Sequence, residues 1–162
     1  MGNIFAGSEI IEIGIQIEKN GRDFYNTLAK QSKNPSAAKI FQYLAQEEEK
    51  HITVFKKILD SVEKYESAEA YTGEYFAYMS ALAGEYVFTQ RDKGEEAARA
   101  IKSDKEAVDK GIGFEKDSII FYEGVIKSVP EYDRKIVEEL IAQEQNHLRQ
   151  LTDLKKTLPR AN

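Results

Sequence analysis

The chain repeats itself once. Residues 14–30, GIQIEKNGRDFYNTLAK, align with residues 111–127, GIGFEKDSIIFYEGVIK, at an offset of 97. Gly14/Gly111, Ile15/Ile112, Glu18/Glu115, Lys19/Lys116, Phe24/Phe121, Tyr25/Tyr122 and Lys30/Lys127 are identical. A second pair of segments aligns at an offset of 96, where Leu44/Leu140, Glu48/Glu144 and His51/His147 coincide. Two copies are too few for a solenoid, whose core needs several stacked repeats. Two copies of a compact unit instead pack about a pseudo-two-fold axis. A residue type kept in both copies then appears twice around the centre.

Each copy reads as a pair of helices. In 8–31, Ile10, Gly14, Ile17, Gly21, Phe24 and Leu28 fall on one helical face. Ser8 can cap the start, and Asn34-Pro35 ends the helix because the residue before proline disfavours helical ψ. The second helix spans 36–60, with Phe41, Leu44, His51, Phe55 and Ile58 in one stripe. The third spans 103–128, where Ser103 and Glu106 have capping-box spacing and Pro130 marks the end. The fourth spans 131–158, aligning Val137, Leu140, His147, Leu151, Leu154 and Leu158. The links 32–35 and 129–130 are short, so each pair forms an antiparallel hairpin.

The connection 61–102 is too long for a plain loop. It is rich in tyrosine (Tyr65, Tyr71, Tyr75, Tyr78, Tyr86) and is expected to hold helical pieces near 74–90 and 94–101. Packing or an interface is the expected use of these tyrosines. The charge run at Glu63–Glu66 is expected to be a solvated face. Residues 1–162 are expected to form a single all-α domain. The long link from helix two to helix three matches the ferritin-like form of the four-helix bundle.

Composition narrows the chemistry. The chain has no cysteine and only two histidines, so thiolate metal sites and cysteine nucleophiles are excluded. A net charge of −5 and a pI near 5.2 disfavour nucleic acid and anionic membrane surfaces as partners. No run of about 18 apolar residues occurs, so no membrane span is expected. The first residues lack a basic stretch followed by an apolar one, and Ala6 replaces the Ser or Thr that myristoylation after Met1-Gly2 requires. A cytoplasmic location follows as the default expectation.

Charged residues nevertheless sit in the apolar stripes. Glu18 falls within Ile11, Gly14, Gly21, Tyr25 and Leu28; Glu115 falls within Gly111, Ile112, Ser118, Ile119 and Tyr122. Leu44 and Phe55 bracket Glu48 and His51, and Leu140 and Leu151 bracket Glu144 and His147. Four carboxylates near one axis repel one another and are costly to desolvate. Two divalent cations balance them, and two neutral imidazoles complete the set. Glu-x-x-His puts both side chains on one helix face. One Glu from each of two helices plus Glu-x-x-His from each of the other two is the inward-facing donor set of dinuclear carboxylate bundles. Glu47, Glu48 and Glu49 all precede His51, but only Glu48 recurs in the other copy, where Gln143 and Gln145 flank Glu144. The metal candidates are therefore Glu18, Glu48, His51, Glu115, Glu144 and His147. Tyr25 and Tyr122, two turns beyond Glu18 and Glu115, are expected to hydrogen-bond a ligand carboxylate. Iron suits this donor set, and so do manganese and zinc.

Taken together, Glu18, Glu48-Glu49-Lys50-His51, Glu115 and Glu144-Gln145-Asn146-His147, with the segments EKNGRDFY and EKDSIIFY, resemble the rubrerythrin family of the ferritin-like superfamily. The resemblance covers nearly all of 8–158. It implies a left-handed bundle, a homodimer and two irons. Glu48 and Glu144 would bridge the irons or ligate close to them, Glu18 and Glu115 would ligate from the other helices, and His51 and His147 would each bind one. The implied activity is reduction of peroxide or dioxygen; iron oxidation and a non-catalytic, metal-stabilised interaction role are the other two readings. Two features depart from the family. The family's cysteine-ligated iron module has no counterpart in a chain without cysteine, so an external electron donor is expected. The family's second glutamate, three residues after the third-helix ligand, is Ser118 here, which leaves a donor set nearer the generic one. Glu85 in the crossover is expected to be an exposed helical residue, not its substitute.

Overall fold

The computed structural model describes residues 7–64 and 73–160. Met1, Gly2, Ala6, Tyr65, Glu66 and Tyr71, on which expectations were placed above, lie outside the described residues. The described elements are all helical: α1 (Gly7–Gln31), α2 (Pro35–Lys64), α3 (Gly73–Glu85), α4 (Lys93–Arg99), α5 (Asp104–Val125) and α6 (Glu131–Thr157), with 3-10 turns at Val87–Thr89 and Ile126–Ser128. α1 packs chiefly on α2 and α5 on α6, and the two hairpins meet through α2–α6 and α1–α5 contacts. Four long helices with a long crossover make this a ferritin-like bundle.

Local chemistry sets the boundaries. Pro35 opens α2, one residue earlier than the spacing predicts, because Asn34 is the cap: its Oδ1 accepts from the backbone N–H of Ser36 and Ala37. Asp104 ties this corner to the other hairpin by accepting from the Ser32 hydroxyl and the Asn34 N–H. Ser103 caps α5 by accepting from Glu106 N–H at 3.1 Å, while the Glu106 carboxylate reaches back to Lys102 N–H, one residue before the cap. The core is one apolar layer between the hairpins, in which Ile11, Phe24, Leu44, Phe55, Phe121, Val137 and Leu151 are fully buried.

The crossover is fastened to α1 and α5. Asn20, buried on α1, donates to the carbonyls of Phe88 and Gln90 and accepts from the N–H groups of Lys93 and Gly94. Gly94 lies so close to α1 that a Cβ there would overlap the Asn20 backbone. Phe88 stacks on Phe114 with ring centroids 3.8 Å apart, and Phe24 meets Phe114 edge-on. On the other side Tyr75 donates to the Gly124 carbonyl. The tyrosines of the crossover divide accordingly: Tyr86 is buried, whereas Tyr78 is exposed.

Candidate metal centre

Four helices bring six donors to the bundle centre. Glu18 comes from α1, Glu48 and His51 from α2, Glu115 from α5, and Glu144 and His147 from α6, and all six are buried. Small neighbours make room: a Cβ on Gly21 would touch the Glu48 carboxylate, and one on Gly111 would press on Leu151 and the Tyr25 ring.

The donors form two overlapping groups. Oxygens of Glu18, Glu48 and Glu144 and a nitrogen of His51 lie within 4.8 Å of one another, and so do donors of Glu48, Glu115, Glu144 and His147. Glu48 and Glu144 belong to both. His51 Nδ1 is 2.8 Å from Glu144 Oε1, 3.4 Å from Glu18 Oε2 and 3.6 Å from Glu48 Oε2. His147 Nδ1 is 3.0 Å from Glu144 Oε2, 3.4 Å from Glu48 Oε1 and 3.9 Å from Glu115 Oε2. Each shared carboxylate thus turns one oxygen toward each imidazole. The two rings lie nearly parallel, with centroids 5.4 Å apart.

Glu18 and Glu115 each divide their oxygens between the centre and a tyrosine. Tyr122 donates to Glu18 Oε1, and Tyr25 donates to Glu115 Oε1 at 2.5 Å. The tyrosine of each copy serves the carboxylate of the other, so these bonds cross the pseudo-two-fold axis. Burial first, then the nearby carboxylates, raise both phenol pKa values well above the usual, which keeps the hydroxyls as donors.

The electrostatics record the cost of the cluster. Burial, then the charges of Glu48 and Glu144, raise Glu18 well above the usual carboxylate range; burial, Glu144 and Glu48 do the same to Glu115. Burial also works to raise Glu48 and Glu144, but the neighbouring Glu18 carboxyl and then the two imidazoles hold Glu48 below that range, and the two imidazoles hold Glu144 below it. Burial alone would depress His147, yet its bonds to Glu144 and Glu48 push it up to about 10. His51 is raised as well, against its own burial, by the Glu18 charge and by the Glu144 carboxylate, 2.8 Å from its Nδ1. Protons alone satisfy the group poorly: Glu18 Oε2, His51 Nδ1 and Glu144 Oε1 are buried without a hydrogen-bond partner. Three orphaned donors converging on one point, with hard oxygens and an imidazole nitrogen, fit a divalent cation.

The geometry also admits residues that the apolar stripes do not single out. His51 Nε2 donates to Gln143 Oε1 at 2.7 Å. Glu47 is half-buried and brings an oxygen within 4.8 Å of a nitrogen from both imidazoles, while Glu49 points outward and pairs with Arg22. Tyr86 reaches the site from the crossover: its hydroxyl donates to the Phe114 carbonyl and sits 2.9 Å from Ser118 Oγ. The repeat contains a signal for Gln143 and Glu47, which are equivalent at the offset of 96; nothing local in the sequence points to Tyr86. Glu85 is exposed, as expected.

A ferritin-like bundle whose centre gathers buried carboxylates and histidines defines the class. The sequence matches the family model of rubrerythrin over residues 9–155, and the chain belongs to the rubrerythrin family. Among solved structures, it is similar to a Thermotoga maritima protein described as a candidate ferritin-like diiron-carboxylate protein. That likeness has 28% identity, a TM-score of 0.72, and coverage of 97% of this chain and 99% of that one. No curated protein matches. Among the described residues, no helix is long and apolar enough to cross a membrane.

Proposed function

We infer that Glu18, Glu48, His51, Glu115, Glu144 and His147 hold two metal ions, iron by preference, and that the protein is an oxidoreductase that reduces peroxide or dioxygen with electrons from a separate donor. The observation that carries this is the pair of shared carboxylates, Glu48 and Glu144, each with one oxygen toward each imidazole. Bound iron supplies the redox chemistry; the protein supplies position, charge and a dry setting. Glu48 and Glu144, each with one oxygen toward each imidazole, would be shared between the two ions. Glu18 and Glu115 would bind one ion each and are fixed by Tyr122 and Tyr25. A cavity of ≈ 10 Å³ lies beside Glu48 and Glu115, lined also by Gly21, Ser118 and Tyr86. It has room for about one water molecule, which restricts access to small oxidants.

Ser118 favours iron oxidation as a second reading. It is buried and hydrogen-bonded to Tyr86 where the family has a further carboxylate, so the donor set is the six residues alone. Loading with ferrous iron without oxygen, then mixing with peroxide or dioxygen, separates the readings. Two irons per chain and repeated turnover with a reductant support the oxidoreductase. One oxidation per iron with no turnover supports iron handling, and a native mass showing a cage strengthens that result. Bound metal that neither oxidant alters leaves a structural role. Fewer than two metals at saturation overturns the dinuclear centre.

A further inference from the structure

The two halves of the centre match in every inward donor and differ in what stands behind the imidazoles. Both Nδ1 atoms face the shared carboxylates. The outer nitrogen of His51 donates to the neutral amide oxygen of Gln143. The offset of 96 carries His51 to His147 and Gln143 to Glu47. Glu47 has 14% of its side chain exposed, and one of its oxygens lies within 4.8 Å of nitrogens from both rings. Its other contact is the Lys50 ammonium at 2.5 Å, on a side chain that is 69% exposed. An exposed ion pair of this kind is weak and leaves the carboxylate its charge.

Resting on the dinuclear reading above, we propose that Glu47 is the positioning residue for His147. In this structure the Glu47 carboxylate pairs with the exposed Lys50 ammonium and stands within 4.8 Å of that ring, beyond hydrogen-bond reach. Released from Lys50 it turns to accept from the outer N–H, in the place that Gln143 takes for His51, so the two metal positions are unequal and the His147 position fills first. The chemistry follows from the acceptors. An imidazole that donates to a carboxylate has a more basic inner nitrogen than one that donates to an amide, and losing such a partner lowers metal affinity about 10–100-fold. A third cation held by Glu47, His51 and His147 on the outer side is the competing use of the same atoms. It requires both outer nitrogens to be deprotonated while both inner ones face the centre, and it breaks the His51–Gln143 bond.

The chain has two histidines, so imidazole nitrogen NMR reads each position separately. Zn(II) is a redox-silent probe and is added in steps to the full chain. In the wild type the His147 Nδ1 signal shifts within the first equivalent and His51 within the second. Glu47→Gln keeps an acceptor and the side-chain shape but removes the charge. It weakens the first step about 10-fold or more, and both rings then shift together. Gln143→Glu gives His51 a carboxylate and also brings the two steps together, at higher affinity. Lys50→Ala leaves the order unchanged. Simultaneous shifts in the wild type, or His51 first, overturn the proposal, as does a Glu47→Gln variant with the wild-type order. A third equivalent bound through the outer nitrogens overturns it in favour of the outer cation. If neither ring responds to Zn(II), the dinuclear reading itself fails, and the proposal with it.

Discussion

Glu48 and its two neighbours occupy the same turn of α2 and meet three different fates. Glu48 lies at the centre, Glu47 at the outer edge of the imidazoles, and Glu49 on the surface against Arg22. Glu48→Ala and Glu144→Ala are therefore expected to lower metal affinity on the order of 100-fold or more, beyond what outer partners contribute. Glu49→Ala should bind like the wild type. Equal losses at Glu48 and Glu49, measured by metal content after dialysis, would show that the register is wrong. The repeat made Glu48 legible because only its position is matched in the second copy. The same comparison held Glu47 and Gln143 in plain view, but a carboxylate paired with an amide does not read as a shared role. Ser118 was legible as a departure; its Tyr86 partner was not, since 32 residues separate them. Ser118→Glu is expected to raise peroxide turnover by adding a carboxylate one turn from Glu115, on the same buried face. The longer side chain must displace the Tyr86 hydroxyl, so the melting temperature should fall, by about 1–3 kcal/mol in stability. A wild type that already reduces peroxide as fast as this variant would remove the case for a seventh donor.

Several helix boundaries followed from residues whose effect is local, whereas α1 begins at Gly7, ahead of the expected Ser8 cap, α2 runs past 60 to Lys64, and α5 ends at Val125 and tightens into a 3-10 turn over Ile126–Ser128. Pro35, Pro130 and Ser103 act within one turn of themselves, and the stripes of α1 and α6 show one buried face at a time. The crossover resisted the same treatment because its shape is set from outside. Asn20, on α1, holds four backbone groups of a segment some 70 residues away. Its only local sign is a polar residue between Ile17 and Phe24 on a buried face. The 3-10 turn at Val87–Thr89 and the short α4 are then ordered by that side chain and by the aromatic stack of Phe24, Phe88 and Phe114. Asn20→Ala strands two carbonyls and two N–H groups and is expected to cost about 2–4 kcal/mol. Gly94→Ala forces α4 away from α1 and should cost about 1–3 kcal/mol. Both variants should also expose Tyr86, so amide hydrogen exchange across 86–94 would rise well above that of α1 or α6. Exchange unchanged in that segment, with stability at the wild-type level, would show that the crossover is held by something else.

At the scale of the molecule, the bundle has six ionisable donors in its core, and the bound protons or metal decide how well it tolerates them. Without metal, His147 has a pKa of about 10 in the folded state against an ordinary value of 6.5. A raised pKa means that the folded chain binds the proton more tightly. Its stabilising effect is complete below pH 6.5 and is lost as the pH climbs toward 10. Glu18 and Glu115, raised by burial and by neighbouring charge, act in the same direction, since each prefers its proton when folded. Glu48 and Glu144 act oppositely: both are lowered, so their contribution is present above pH 4.5 and fades as the pH falls. The metal-free protein is thus expected to melt highest near pH 4.5, where the contribution of Glu48 and Glu144 is complete and that of Glu18 and Glu115 only begins to be lost. Its stability should then decline toward pH 10 by about 1.4 kcal/mol per pH unit for each proton lost. Two bound cations replace those protons, so the loaded protein should melt higher and change little between pH 6.5 and 9. The gap between the two melting temperatures should therefore widen as the pH rises. Calorimetry of the chelated and the metal-loaded chain at pH 6, 7.5 and 9 measures this directly. A chelated chain whose melting temperature is level across that range would mean that the imidazoles are not charged in the folded bundle.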